Sequence, residues 1–135
     1  MSLDRALAQV IESVPDCIAA GLVDMTTGML LGIRTVDSHP QEVIDLVAAA
    51  TGALFQGSNV TTIEQLFKKA RGVPPDDGEH YFQEIIVLSR NLIHLFIRGQ
   101  SNQDHVLVTV TRIATNLGMA LAKSRRALAG VEAAA

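Results

Sequence analysis

Apolar side chains near the start of the chain recur with the spacing of one helix face. The recurring positions are Leu3, Ala6, Leu7, Val10, Ile11 and Val14. Steps of three and four residues place them on one side of an α-helix, and Ser2 is suited to cap its first turn. Pro15 ends this helix, because the residue before a proline is driven out of the helical region. The pattern therefore predicts an amphipathic helix that buries one face.

Five short apolar segments have the length and composition of β-strands. They are Cys17 to Asp24, Met29 to Arg34, Tyr81 to Ser89, Asn91 to Arg98 and His105 to Arg112. Gly28 can supply the positive φ of a hairpin turn between the first two, and Arg90 and Gly99 mark tight turns between the last three. Because short turns of this kind join antiparallel strands, the pattern predicts a five-stranded antiparallel sheet.

Helices separate and follow these strands. Ser38 and Pro40 begin a capping sequence from which a middle helix should run to Gln56 and stop at Gly57. A last helix is predicted from about Ala114 to Val131, capped by Thr115 or Asn116. The segment Asn59 to Gly78 holds one or two helical turns, Ile63 to Ala70, possible caps at Thr61 and Thr62, and a proline-containing loop.

These elements define the expected architecture. The order α-β-β-α-β-β-β-α predicts an α+β sandwich in which the first and last helices cover one face of the sheet and the middle helix covers the other. The chain has 135 residues, which is the length of a single domain spanning residues 1–135.

Composition restricts the classes of partner. The net charge is −3, so the molecule as a whole does not attract nucleic acid or an anionic membrane. No apolar run is long enough to span a bilayer, and no signal peptide is expected. Cys17 is the single cysteine, which suits a cytoplasmic protein. The mean hydropathy of +0.27 indicates that some apolar surface meets a partner.

Sequence motifs for catalysis or metal binding do not occur. The chain has no P-loop, no glycine-rich dinucleotide fingerprint and no nucleophile elbow. Its histidines lack metal-ligand spacing; they are His39, His80, His94 and His105. We therefore expect no catalytic residue, no metal and no cofactor. Cys17 is interpreted as a core residue and Asp24 as a turn cap, and a small enzyme using Asp24 or His94 is the weakest hypothesis.

The middle helix has a wider apolar surface than one sheet face requires. One side consists of Val43, Leu46, Val47, Ala50 and Leu54, and we predict that it packs on the chain's own sheet. The other side consists of Ile44, Ala48, Thr51 and Phe55, which we assign to a dimer interface, with Gly52 allowing close approach. The alternative is that the Asn59 to Gly78 segment covers this second side within one chain.

Two further surfaces are candidates for binding. Ile86 and Leu88 lie on the third predicted strand, an expected sheet edge, and we add them to the dimer interface. Lys123, Arg125 and Arg126 form a basic cluster on the last helix, which is either a solvated face or an electrostatic patch for a partner.

Several segments of the chain together resemble a known family. They are Val14 to Asp24, Thr27 to Gly32, the alanine-rich middle helix and Asn116 to Ala120. In this order they resemble the Roadblock family of dynein light chains and their bacterial relatives, the MglB-like partners of small GTPases. The resemblance implies a profilin-like or longin-like fold and a dimer with paired middle helices and a sheet continuous across the interface. The segment Asn59 to Gly78, before the third strand, is a departure from that pattern.

The expected function follows from this resemblance and from the missing motifs. We expect a non-catalytic, dimeric regulatory or scaffold protein that binds itself and a Ras-like small GTPase, or that serves as an adaptor subunit. The alternative is a small-molecule-sensing domain of profilin-like or PAS-like architecture. That alternative requires a concave pocket with convergent polar groups.

Overall fold

The fold consists of nine elements in the described part of the chain. The structure is a computed structural model that describes residues 2–36 and 41–135, with side chains described for residues 2–36 and 47–135. The elements are α1 (Leu3–Ser13), β1 (Cys17–Asp24), β2 (Met29–Thr35), α2 (Gln41–Gln56), α3 (Ser58–Ala70), β3 (Glu84–Leu88), β4 (Leu92–Arg98), β5 (His105–Arg112) and α4 (Leu117–Ala134). The predicted α+β class is confirmed. The predicted caps at Ser38 and Pro40 lie outside the described residues.

The five strands form one antiparallel sheet with the order β2-β1-β5-β4-β3. Asp24 closes the β1–β2 turn, because its Oδ1 accepts a hydrogen bond from Thr26 N at 3.0 Å, and Gly28 adopts a φ of 71° there. The structure thus has Asp24 in the turn-capping position predicted from the sequence. Strands β2 and β3 are the two edges of the sheet, so the predicted edge position of the third strand is correct.

One face of the sheet is covered by the first and last helices. Ala6, Leu7 and Val10 of α1 are buried together with Ala120, Leu128 and Val131 of α4, over Leu22, Leu95 and Leu107 of the sheet. Ser2 caps α1 as predicted, since its side chain accepts a hydrogen bond from Arg5 N at 3.2 Å. Helix α1 crosses β2 at Gly32, where an added Cβ would lie only 3.0 Å from Leu3 Cδ2. A glycine at this position is what permits the close approach.

The middle helix α2 covers the opposite face, but with the side that the sequence analysis assigned to a dimer. Ala48, Thr51 and Phe55 are 1%, 0% and 0% exposed, and they pack over strand residues such as Val23 and Phe96. The prediction that these three residues form an exposed second strip is therefore wrong. These three residues lie on the helix face that packs on the sheet, and Phe55 is fully buried there. The Ile44 side chain lies outside the described residues.

Helix α3 begins earlier and runs longer than the predicted one or two turns. Its N-cap is Gly57, not Thr61 or Thr62, and it extends over 13 residues. Gly57 ends α2 as predicted, and an added Cβ there would lie 2.6 Å from Ala53 O. Only glycine fits this break between two consecutive helices. Gly72, with a φ of 69°, follows the end of α3, as predicted.

Candidate protein-interaction surfaces

The backbone of β3 presents free hydrogen-bonding groups at one edge of the sheet. Arg98 N donates to Gln83 O at 2.8 Å and Ser89 N donates to Leu92 O at 2.9 Å, so odd-numbered residues of this strand face β4. Hydrogen bonding alternates along an antiparallel pair. The N–H and C=O groups of Glu84, Ile86 and Leu88 consequently point away from the sheet.

The side chains of β3 leave this edge apolar. Ile86, Val87 and Leu88 are 41%, 39% and 62% exposed. The strand carries one charge, Glu84, and that carboxylate is bound by Arg125 of α4 at 2.6 and 2.7 Å. An exposed, apolar edge strand is a template for pairing with another strand. Ile86 and Leu88 are exposed in the single chain, and their assignment to a dimer interface stays a prediction.

The strand is shorter than the predicted Tyr81 to Ser89 because the residues before it are bound elsewhere. Tyr81 N donates to the Glu64 carboxylate of α3. Phe82 O accepts a hydrogen bond from Arg98 Nε at 2.9 Å. We call residues 80–83 the lead-in of β3. It joins α3 to the edge of the sheet.

Helix α3 has two of its charged residues buried, whereas its large apolar residues are exposed. Glu64 and Lys68 are each 6% exposed. Lys68 Nζ lies 2.6 Å from Asp77 Oδ1, and His80 Nδ1 lies 3.4 Å from Glu64 Oε1. The hydrogen bond between Lys68 and Asp77 raises the pKa of the lysine and lowers the pKa of the aspartate. These polar contacts fix α3 to the segment that follows it.

The opposite side of α3 is an apolar strip formed by Ile63, Leu66 and Phe67, which are 39%, 60% and 50% exposed. Phe67 also stacks on Tyr81 of the lead-in, with 5.8 Å between ring centroids. The sequence predicts only an ordinary amphipathic turn at these positions and does not indicate a binding surface. The i, i+4 spacing of Glu64 and Lys68 places both on one helix face, but nothing in the sequence indicates that this face is buried.

In the described part of α2, residues 47–56, small residues lie on the outer side. Ala49, Ala50 and Ala53 are exposed, and an added Cβ at Gly52 would meet no atom within 4 Å. These alanines are not the side considered in the alternative in which the Asn59 to Gly78 segment covers Ala48, Thr51 and Phe55; those three residues are instead buried against the chain's own sheet.

The predicted basic cluster on α4 is divided by the fold. Arg125 is bound to Glu84, whose pKa is lowered by the guanidinium. Lys123 and Arg126 instead line a groove between α1 and α4. In the described part of the chain neither of these two forms an ion pair. Within the cluster, it is these two residues that retain free charge for a partner.

The residues considered for catalysis do not converge. Cys17 is buried, its Sγ lies 3.2 Å from Ala19 O, and burial raises the pKa of its thiol. His94 is half-buried beside Phe96, and desolvation lowers its pKa. Among residues 2–36 and 47–135 no three potential metal ligands lie together. No helix in the described chain is both long and apolar enough to cross a membrane.

An apolar cavity of about 250 Å³ lies between the sheet and α2. Its described walls include Gly21, Val47, Leu92, His94 and Val110. His94 is the only titratable side chain on these walls. The cavity therefore lacks the convergent polar groups that orient most small-molecule ligands.

The five-stranded sheet with this helix arrangement defines a known class of protein domain. The structure is similar to a Roadblock/LC7 domain from Streptomyces avermitilis, with a TM-score of 0.67 and 13% identity over 98% of this chain and 97% of that chain. The fold of the chain is thus the Roadblock/LC7 fold, as the sequence resemblance implied.

Two further solved structures with the same fold are MglB proteins. The gliding protein MglB from Thermus thermophilus has a TM-score of 0.66 and 18% identity, over 97% of this chain and 88% of that chain. An MglB with a tetrameric arrangement has a TM-score of 0.67 and 20% identity, over 97% and 85%. At the level of sequence, no protein-family model and no curated protein matches the chain.

Proposed function

We propose that the chain is a non-catalytic, dimeric regulatory or scaffold protein that binds a Ras-like small GTPase or serves as an adaptor subunit. The observation that carries the dimer is the free edge of β3, which combines outward-pointing backbone groups with the exposed side chains of Ile86 and Leu88. The MglB with a tetrameric arrangement supports self-association in proteins of this fold.

A two-fold pairing of β3 centred on Ile86 uses the whole strand. In that register Ile86 of each copy faces its symmetry mate, and Glu84 of one copy faces Leu88 of the other. All three residues have backbone groups that point away from the sheet, so the pairing adds hydrogen bonds without breaking any in the chain. The result is a sheet of ten strands running through both subunits.

The apolar strip of α3 extends this interface. Antiparallel pairing brings the lead-in of one copy opposite the β3–β4 turn of the other, next to the exposed Val87 and Leu88. Helix α3 is attached to that lead-in by Glu64 and Tyr81. Burial of Ile63, Leu66 and Phe67 against the second copy would stabilise the dimer by about 1.5–3 kcal/mol per fully buried side chain. This assignment replaces Ala48, Thr51 and Phe55, which are buried in their own chain.

The small GTPase is proposed from the resemblance to MglB-like proteins. Titration of Ras-like GTPases from the same genome, each loaded with GDP or with a non-hydrolysable GTP analogue, tests this directly. We expect one GTPase to bind in one nucleotide state at least tenfold more tightly than in the other. Equal affinity in both states, or no binding by any of them, would contradict GTPase regulation and leave the adaptor role.

A small-molecule sensor is the second candidate, and the cavity beside His94 is the observation in its favour. The melting temperature of a sensor would rise when its ligand is added. The melting temperature of a dimeric scaffold would rise with the concentration of the protein itself. A thermal-shift screen at two protein concentrations therefore separates the two functions.

A further inference from the structure

The groove between α1 and α4 lies on the face of the sheet opposite α2. Thr115 Oγ1 donates to Pro15 O at 3.0 Å, which places the start of α4 beside the end of α1 and makes the two helices antiparallel. One stripe of each helix lines the groove, which has a volume of about 310 Å³. The lining residues are Ala6, Gln9, Val10, Ser13, Lys123, Arg126, Ala127, Gly130 and Val131.

The groove has an apolar floor that small residues keep open. Ala6, Val10 and Val131 are 4%, 1% and 1% exposed, so the floor is continuous with the core beneath the helices. An added Cβ at Gly130 would meet no atom within 4 Å. The volume is at the lower end of the range for binding clefts, about 300–1,000 Å³, and suits a few side chains of a partner.

The charge of the groove is opposite to that of the whole molecule. Lys123 and Arg126 are its only charged lining residues, and the lining contains no carboxylate. The chain as a whole has a net charge of −3. Arg5 and Glu12, which are exposed on α1, are of opposite sign and offset each other. The groove is therefore a local positive site above an apolar floor.

We propose that this groove is a docking site for an acidic amphipathic segment of a partner protein. Such a segment places apolar side chains on the floor between α1 and α4, and its carboxylates meet Lys123 and Arg126 at the rim. A concave floor admits protruding side chains, whereas a membrane presents a flat surface. Two cations would contribute only about 1 kcal/mol each at an anionic membrane. The site is separate from the β3 edge, so it can be occupied in a monomer or a dimer.

Fluorescence anisotropy with two labelled peptides tests the site on the full chain. Both peptides carry leucines along one helix face, and the other face carries glutamate in one peptide and lysine in the second. We expect the wild type to bind the glutamate peptide at least tenfold more tightly than the lysine peptide. The binding should weaken as salt is added, because exposed charges are screened.

Two kinds of variant locate the binding. Lys123→Glu combined with Arg126→Glu reverses the rim charge, and the matched control Lys69→Glu combined with Arg90→Glu makes the same charge change at exposed positions elsewhere. Gly130→Leu fills the groove and also raises helix propensity, so the fold is retained. Its control is Ala122→Leu, which adds a leucine to an exposed position of α4 outside the groove lining.

The expected result is at least a tenfold loss of glutamate-peptide binding in both groove variants and unchanged binding in both controls. No binding by the wild type, or equal binding by groove and control variants, would overturn the proposal. Binding to phosphatidylserine vesicles, but not to either peptide, would also overturn it and would assign the groove to a membrane. Light scattering of the groove variants should show the same subunit number as the wild type.

Discussion

Arg98 and Phe55 form a stacked pair inside the fold, with Arg98 Cζ 5.0 Å from the centroid of the Phe55 ring and Nη2 donating to Phe55 O at 3.3 Å. The remaining guanidinium contacts run to Phe82 O and Gln103 O, both at 2.9 Å. One buried side chain thus joins the end of α2, the lead-in of β3 and the β4–β5 loop. The edge strand is held in place by this cation.

The first prediction concerns this arginine. Arg98→Ala should lower the free energy of unfolding by about 3 kcal/mol or more, because three backbone carbonyls lose a charged donor in the interior. Arg112→Ala, at an exposed end of β5, should change it by less than about 0.5 kcal/mol. Urea denaturation of the two variants measures the difference. Equal stability would mean that Arg98 does not support the lead-in.

The assignment of Phe55 to a dimer interface would suggest Phe55→Asp as a test of the dimer, but Phe55 is fully buried in its own chain. Such a variant should lose monomer stability through an unpaired buried carboxylate next to the core. Dissociation of Phe55→Asp would consequently say nothing about the interface. A test of the interface has to leave the monomer intact.

The second prediction provides that test at the β3 edge. Ile86→Pro removes an N–H that points away from β4, so the monomer should stay folded while the β3 pairing across the dimer is lost. Val87→Pro is the control, because its N–H faces His94 in the chain's own sheet and its loss should destabilise the monomer. Light scattering gives the subunit number, and circular dichroism reports folding. A folded Ile86→Pro variant that remains dimeric at micromolar concentration would contradict the proposed pairing.

The third prediction concerns the apolar strip of α3. Leu66→Glu should weaken dimerisation at least tenfold and leave the monomer stable, because Leu66 is 60% exposed within one chain. Gln65→Glu adds the same charge one residue away from the strip and should leave the dimer unchanged. Sedimentation equilibrium measures both dissociation constants. If the two variants dissociate equally, charge is responsible and the strip lies outside the interface.

The fourth prediction is an acid-dependent loosening of α3. The pKa of Asp77 is lower in the folded chain than its ordinary value of about 3.9, because Lys68 binds its charged form. The pair therefore stabilises the fold above that ordinary value, and the stabilisation is lost as pH falls through the lowered pKa. The protection of residues 73–83 against hydrogen exchange, taken relative to the intrinsic exchange rate at each pH, should therefore decrease over this range.

The matched variants for this prediction are adjacent aspartates. Asp77→Asn should give fast exchange in residues 73–83 already at neutral pH. Asp76→Asn should behave as the wild type, since Asp76 is exposed and the ion pair involves Asp77 only. Acid-dependent exchange that persists in Asp77→Asn would show that another group is responsible.

The sequence by itself determined the order of the strands along the chain and the division of the helices between two faces of the sheet. Cys17–Asp24 and His105–Arg112 have the predicted bounds because their apolar runs end at turn residues. Gly57 marked the end of α2 because glycine commonly follows the last turn of a helix, and in the structure a side chain there would collide with Ala53 O. Each of these features is encoded by residues that are neighbours in the chain.

Only the tertiary structure decided which side of α2 is buried and which side of α3 is exposed. The apolar arc of α2 is wider than a sheet face, so hydrophobicity alone could not show whether Phe55 or Leu54 is the more deeply buried residue. In the structure Phe55 is fully buried and packs beneath Arg98, which fixes the orientation of the helix. Glu64 and Lys68 are buried because their partners, Tyr81 and Asp77, are brought to them from later in the chain. Helix periodicity reports the polarity of a face, whereas burial depends on the partners that the fold supplies to it.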